Sequence, residues 1–187
     1  MRSFLPLFAA AFLASAPALA TEMVSVSEFH SVQLRGGGSV EVVPGPSQRV
    51  SILEGSSAVT HIYVDRDGQL RIDTCTQQCP ANYHLRVEIQ SPHSPGLAVD
   101  GGGQMITGPG FAPQQQLSAA INGGGHIDAR SVDALHVSAA VNGGGGILVR
   151  PRAALSAAVN GGGSIRYLGN PSTSVAIRGG GSVSRAE

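Results

Sequence analysis

Aliphatic and polar positions alternate along most of this chain, and the alternation recurs in short, matching units. Leu117-Ser118-Ala119-Ala120-Ile121, Val137-Ser138-Ala139-Ala140-Val141 and Leu155-Ser156-Ala157-Ala158-Val159 are nearly superimposable. Read as strands, they put Leu117, Ala119 and Ile121 on one face and Ser118 and Ala120 on the other. Segments this short, each ending in Asn-Gly-Gly-Gly, are too brief for a helix. Every unit then runs into three glycines framed by aliphatic residues. The triplets are Gly36-Gly37-Gly38, Gly101-Gly102-Gly103, Gly123-Gly124-Gly125, Gly143-Gly144-Gly145, Gly161-Gly162-Gly163 and Gly179-Gly180-Gly181. From Gly101 onward they recur about every twenty residues, a period that predicts a stack of similar coils.

Glycine in ordered chain costs roughly 0.5–1 kcal/mol relative to alanine. The triplets therefore belong where alanine would be worse. Two such places exist: a corner with positive φ, and a point where backbone meets backbone with no room for a Cβ. Stacked corners of a β-solenoid combine both. The predicted fold is all-β, a parallel β-helix-like stack of short strands with Gly-Gly-Gly corners. Asn122, Asn142 and Asn160 precede successive corners and are expected to form an amide ladder up the stack. Asp100 takes the same slot one coil earlier, a structural position.

The earlier half reads differently. Residues 21–100 form an irregular N-terminal part with hairpin-like strands, and residues 101–187 the regular repeats of the same single domain. Val40 and Val42, the Pro44-Gly45-Pro46-Ser47 turn, then Val50 and Ile52 predict one hairpin. Ile62-Tyr63-Val64, an Asp67-Gly68 turn and Leu70-Arg71-Ile72 predict another. Leu85-Arg86-Val87-Glu88-Ile89 alternates apolar against charged, so one face is solvated. At the far end, the last coil leaves an edge that Arg178 and Arg185 would have to guard by charge.

Residues 1–20 read as a secretory signal: Arg2, an apolar run from Phe4 to Leu13, and the small-x-small site Ala18-Leu19-Ala20. That run is too short to span a bilayer, so no membrane insertion is expected after its removal. The chain is expected to be exported, to the periplasm, the cell surface or the medium. Composition narrows the picture further. There is no Trp, and only 5 Phe and 3 Tyr, so Val, Ile, Leu and Ala must fill the core. All 12 basic residues are Arg, balanced by 12 acids and scattered, which gives no footprint for nucleic acid.

Candidate chemistry is sparse. Cys75 and Cys79 are the only cysteines, and an exported chain would join them in a structural disulfide. A redox or metal role with His84 is the alternative, but two Cys and one His leave zinc short of a fourth ligand. The glycine runs invite nucleotide-loop readings, yet a Walker loop needs a Lys and the chain has none. The calcium nonapeptide pattern is met only in part, at Gly123 to Asp128 and Gly143 to Gly146. His126 and His136 fall on successive strands and read as solvated residues. Glycoside chemistry needs converging carboxylates, and Asp100, Asp128 and Asp133 are the only acids between Glu88 and Glu187. No catalytic residue, metal or cofactor is expected.

Several of these features together resemble a known family. Phe29, Val32, Leu34 and Gly36 form a Phe-x-x-Val-x-Leu-x-Gly entry. Asp67-Gly68-Gln69-Leu70-Arg71-Ile72, the glycine-punctuated strands and the closing Ile165-Arg166-Tyr167-Leu168-Gly169-Asn170-Pro171 follow in order. The series resembles the head GIN domain of putative autotransporter adhesins. The resemblance implies a β-solenoid-like fold in an exported bacterial protein and brings no catalytic residues with it. The expected function is a non-enzymatic structural or adhesin-like envelope module. It would present a rigid scaffold to a surface glycan or envelope component, along a flank such as Ser118, Ser138 and Ser156. A carbohydrate-active enzyme on a β-helix scaffold is the alternative. End-to-end self-association through open terminal coils is a further expectation.

Overall fold

The computed structural model describes residues 21–76 and 78–187. The expected export signal, residues 1–20, lies outside the described residues. Every regular element among the described residues is a strand: β1 (Glu22–Val24), β2 (Ser31–Gly36), β3 (Ser39–Pro44), β4 (Arg49–Glu54), β5 (His61–Val64), β6 (Gln69–Asp73), β7 (Arg86–Ser91), β8 (Gly96–Gly101), β9 (Gln104–Thr107), β10 (Gln114–Gly123), β11 (His126–Gly143), β12 (Gly146–Gly161), β13 (Ser164–Tyr167), β14 (Ser172–Arg178) and β15 (Ser182–Arg185). The fold is all-β.

Two parallel ladders run through the sheet. In the first, β6, β2, β8, β10, β11, β12 and β14 lie side by side. In the second, the order is β7, β3, β9, β11, β12, β13 and β15. The long strands β11 and β12 belong to both. His126 to Ala129 pairs within the second ladder, and Ala134 to Gly143 within the first. The register slips between Ala129 and Asp133 and again between Ala134 and His136. Extra unpaired residues there let one strand turn from one ladder into the other.

The glycine triplets carry the chain from the first ladder to the second, and they lie in register with one another. Gly36 stands beside Gly101, Gly123 between Gly101 and Gly143, and Gly161 beside Gly143. Gly143-Gly144-Gly145 shows why. Gly143 has φ +124°, and a methyl built on it would lie 2.5 Å from Gly123 O. A methyl on Gly145 would lie 2.5 Å from Gly125 O and 2.7 Å from Ile121 Cγ2. One on Gly144 would meet nothing within 4 Å. The first glycine is held by conformation and contact together, the third by contact, and the middle one by neither. The same division recurs at the triplets beginning at Gly101, Gly123, Gly161 and Gly179. The close approach lets Gly144 and Gly145 both donate their N–H to Gly123 O at 3.0 Å.

Alternation decides what is inside. Leu117, Ala119 and Ile121 are buried and Ser118 and Ala120 exposed, as the pattern predicts. Like residues stack on like. Leu34, Val99, Ile121, Val141 and Val159 form one inward column of the first ladder. Val40, Met105, Ile127, Ile147 and Ile165 form another, in the second. All of these are buried. The polar Thr107 sits inside as well, and its hydroxyl donates to Asp128 O at 3.4 Å.

The N-terminal half holds one expected hairpin and not the other. β5 and β6 pair antiparallel, with Gly68 at φ +69° in the turn. β3 and β4 do not pair. β3 already has a parallel neighbour on each side, β7 and β9, and β4 joins the outer edge of β7 instead. The coil order also departs from chain order. The coil made of β6 and β7 lies outside the one made of β2 and β3. In this outermost coil the loop closed by Cys75 and Cys79 stands where the others have a glycine triplet. A second correction concerns His126 and His136: both lie on β11 rather than on successive strands.

The β5–β6 turn gives a test by pH. Asp65 Oδ1 accepts from the backbone N–H of Asp67 and Gln69, and Oδ2 lies 2.7 Å from Arg71 Nε. The Arg71 hydrogen bond, followed by the backbone N–H groups, holds the Asp65 carboxyl below its ordinary 3.8. A carboxylate lowered by folding stabilises the fold above its unfolded value and loses that contribution as pH falls through its folded one. The urea midpoint should therefore drop as pH falls below about 3.8. Asp65→Asn should flatten that part of the profile, and identical profiles for the two chains would contradict it.

Candidate functional site

The corner slots form a polar column along one margin of the first ladder. In order across the strands it reads Asp73, Arg35, Asp100, Asn122, Asn142, Asn160, Arg178. Asn142 Nδ2 donates to Asn122 Oδ1 at 3.1 Å, and Asn160 stands in register with Asn142. At one end of the column opposite charges alternate: Arg35 Nη1 lies 3.3 Å from Asp73 Oδ1. Gln33 Nε2 donates to Asp100 Oδ2 at 3.0 Å. Stacking strands in register brings identical side chains to about 4.8 Å, where amides attract one another and like charges repel.

Cys75 and Cys79 are joined. Closing so short a loop stabilises by about 2 kcal/mol on the chain-entropy account. The loop is also packed down: Thr60 Oγ1 donates to Thr74 O at 2.8 Å and lies 2.5 Å from the Tyr83 hydroxyl. His84 lies beyond this loop, next to Tyr83, and among the described residues no group of three or more His, Cys, Asp or Glu could hold a metal ion.

The outward face of the first ladder is a different surface. Ser118, Ser138, Ser156 and Ser174 share one register, and Gln33, Ala98, Ala120, Ala140, Ala158 and Ala176 the next outward one. The small side chains leave a groove of about 600 Å³, lined by Ser118, Ser138, Ser156 and the intervening alanines. Gly96 keeps it open, because a methyl there would lie 2.6 Å from Ser118 Oγ. At His30 the groove meets a cleft of about 830 Å³. Pro46, Pro92, Pro95, His93 and Gln114 to Gln116 line that cleft. Ser91 and Ser94 are buried in its wall. Gln48 is not free to meet a ligand: its amide donates to Phe29 O at 2.6 Å and its Oε1 accepts from Phe29 N at 3.0 Å.

Glu28 lines the cleft, and the other acids lie elsewhere. Burial of Asp128 works to raise its carboxyl, but hydrogen bonds from the Arg130 side chain and backbone outweigh it and leave the group below its usual range. Asp133 lies 3.9 Å from Arg150 and 3.8 Å from Arg152. Each of the two therefore faces arginine. Glu41 and Glu88 stand in register on β3 and β7, a pair that no spacing along the chain brings together. Two Val-Glu steps in separate strands were the available signal. Neither glutamate lines the groove or the cleft.

Residues 105–171 match the model of the family described as "Putative auto-transporter adhesin, head GIN domain". The head GIN resemblance is shown over that segment. It runs from Met105 in β9 past β13 to Pro171, just before β14, so it holds Ser118, Ser138 and Ser156. A crystal structure of a putative adhesin from Bacteroides fragilis is similar at 18% identity, covering 91% of this chain and 98% of that one, with a TM-score of 0.52. A putative lipid binding protein from Parabacteroides distasonis is 16% identical over 90% of this chain and 96% of its own, at 0.42. A putative adhesin from Parabacteroides merdae has the same identity and coverage, at 0.40. The Bacteroides likeness is one of fold; the other two add nothing to the argument. No curated protein matches the chain.

Proposed function

We propose that this chain is an exported, non-enzymatic, adhesin-like module. Its two parallel ladders are the faces of a β-solenoid, and its groove and cleft hold a neutral surface glycan. The observation that carries the reading is the uncharged groove on the outward face of the first ladder, where serine hydroxyls repeat in register and lead into a cleft of proline, glutamine and histidine with Glu28 at its wall. A hydroxyl-rich ligand asks for donors and acceptors on a surface already fixed in place, because ordering a surface on binding costs affinity. Strand-borne serines are fixed by the ladder itself, and the alanines beside them keep the floor flat. The head GIN family supports the adhesin class and leaves the ligand to be found.

The test is retention on an array of neutral glycans. The unsubstituted chain should be held, and Ser138→Arg, which fills the groove from an exposed position, should lose at least tenfold in retention. Absence of retention on every glycan would sink the reading. The enzyme alternative rests on Glu41 and Glu88 standing in register. Hydrolysis of a glycan that Glu88→Gln abolishes would favour it.

A further inference from the structure

The two ends of the ladders are finished differently. At the β6–β7 end, antiparallel strands cover them: β5 lies on β6, and β4 and then β1 lie beyond β7. Leu70, Ile72, Val87 and Ile89 are buried there. At the other end, β14 pairs only with β12 and β15 only with β13 among the described strands. Val175 and Ile177 stand in register with Ala157 and Val159. They are 46% and 43% exposed, while Ala157 and Val159 are 3% and 2%. Two inward columns thus run out to the surface, beside a row of unpaired backbone N–H and C=O groups.

We propose that this end docks on the same end of a second copy, β14 against β14 and β15 against β15, antiparallel about a two-fold axis across the stack. Three observations favour a second copy in this arrangement. The two ends differ, with the antiparallel edge strands β5 and β1 at one and the parallel strands β14 and β15 over uncovered columns at the other, so the contact that closes the open columns joins like end to like end and is isologous. A two-fold axis through a residue keeps inward positions opposite inward positions. Centred on Val175, it sets Thr173 against the partner's Ile177 and Ser174 against the partner's Ala176, closing the open columns with no like charges opposed. Charge also fits. With Val183 on the axis, Glu187 falls opposite the partner's Gly179, beside the partner's Arg178. Arg178, expected to guard the edge, becomes its ion-pairing partner.

Sedimentation velocity on the exported chain tests this. The mass should double as concentration rises through the micromolar range and go no further. Ile177→Lys should return the mass to that of one chain while leaving the far-ultraviolet circular dichroism unchanged. Val183→Cys should give a covalent dimer on a non-reducing gel after mild oxidation, and Ser172→Cys, away from the axis, should not. A single-chain mass at every concentration with no cross-link through position 183 overturns the proposal. So does a mass that keeps growing, which would mean head-to-tail stacking.

Discussion

Gly143→Ala unfolds about 10 °C below the unsubstituted chain, and Gly144→Ala, one residue along, unfolds within a degree or two of it or slightly above. The two substitutions add the same methyl group. At Gly143 the added Cβ meets Gly123 O at 2.5 Å, on a backbone with φ +124°. The left-handed conformation costs an L-residue about 1–3 kcal/mol. Overpacking against a backbone atom adds about 1–3 kcal/mol more, since the backbone of a paired strand cannot move aside as a side chain can. The sum, about 2–6 kcal/mol, shifts the midpoint by roughly 2–4 °C per kcal/mol for a chain of this size. At Gly144 the methyl meets nothing, and φ lies outside the left-handed region. Alanine there also restricts the unfolded chain, an effect worth about 0.4–1 kcal/mol in its favour. Thermal melts of both variants decide the matter. Equal losses would mean the triplets are not graded in the way the contacts require. Gly103→Ala should fall between them, because its nearest neighbour is the Leu34 side chain at 2.5 Å and the backbone oxygen of Gly38 lies farther, at 3.1 Å.

The second large effect lies in the core. Ile127→Ala should cost about 3–4 kcal/mol, read as a lowered urea midpoint with an unchanged slope. Ile127 is fully buried in the column between Met105 and Ile147. Removing its side chain leaves a cavity that the strands on either side, hydrogen-bonded at fixed spacing, cannot close. Val183 extends the same column beyond Ile165 but is only partly buried. Val183→Ala, measured on dilute protein, should cost under about 1 kcal/mol. A comparable loss at both positions would show that the last coil is covered after all, and that the column has no open end.

The contrast between those two sites marks what the chain's pattern could and could not reveal. Period-two alternation told which residue of each pair faces inward, because the pleat itself has period two. It placed Leu117, Ala119 and Ile121 inside and Ser118 outside with no tertiary information. The triplets announced corners for a similar reason: only glycine survives φ near +120° against another backbone, so its recurrence reports the geometry directly. Register followed, since the Asn, Gly and aliphatic positions of successive units coincide. The candidate groove was partly legible as the serines at 118, 138 and 156. Its continuation into the cleft was not, because His30, Pro95 and Gln114 come from segments that share no pattern.

What the sequence alone determined about this protein is therefore local and repetitive: strands, corners, the buried face and the order of the coils from residue 101 onward. Tertiary structure alone decided the neighbours in the first half. Val32 and Leu34, Leu70 and Ile72, and Leu97 and Val99 present the same inward aliphatic pair, so any two of those strands could lie side by side as far as pattern goes. The fold places β2 between β6 and β8, slides β7 between β3 and β4, and leaves β14 at an edge. Strand order rests on which edges remain unpaired and which aliphatic columns remain uncovered. Those are properties of the assembled stack, and no single segment carries them.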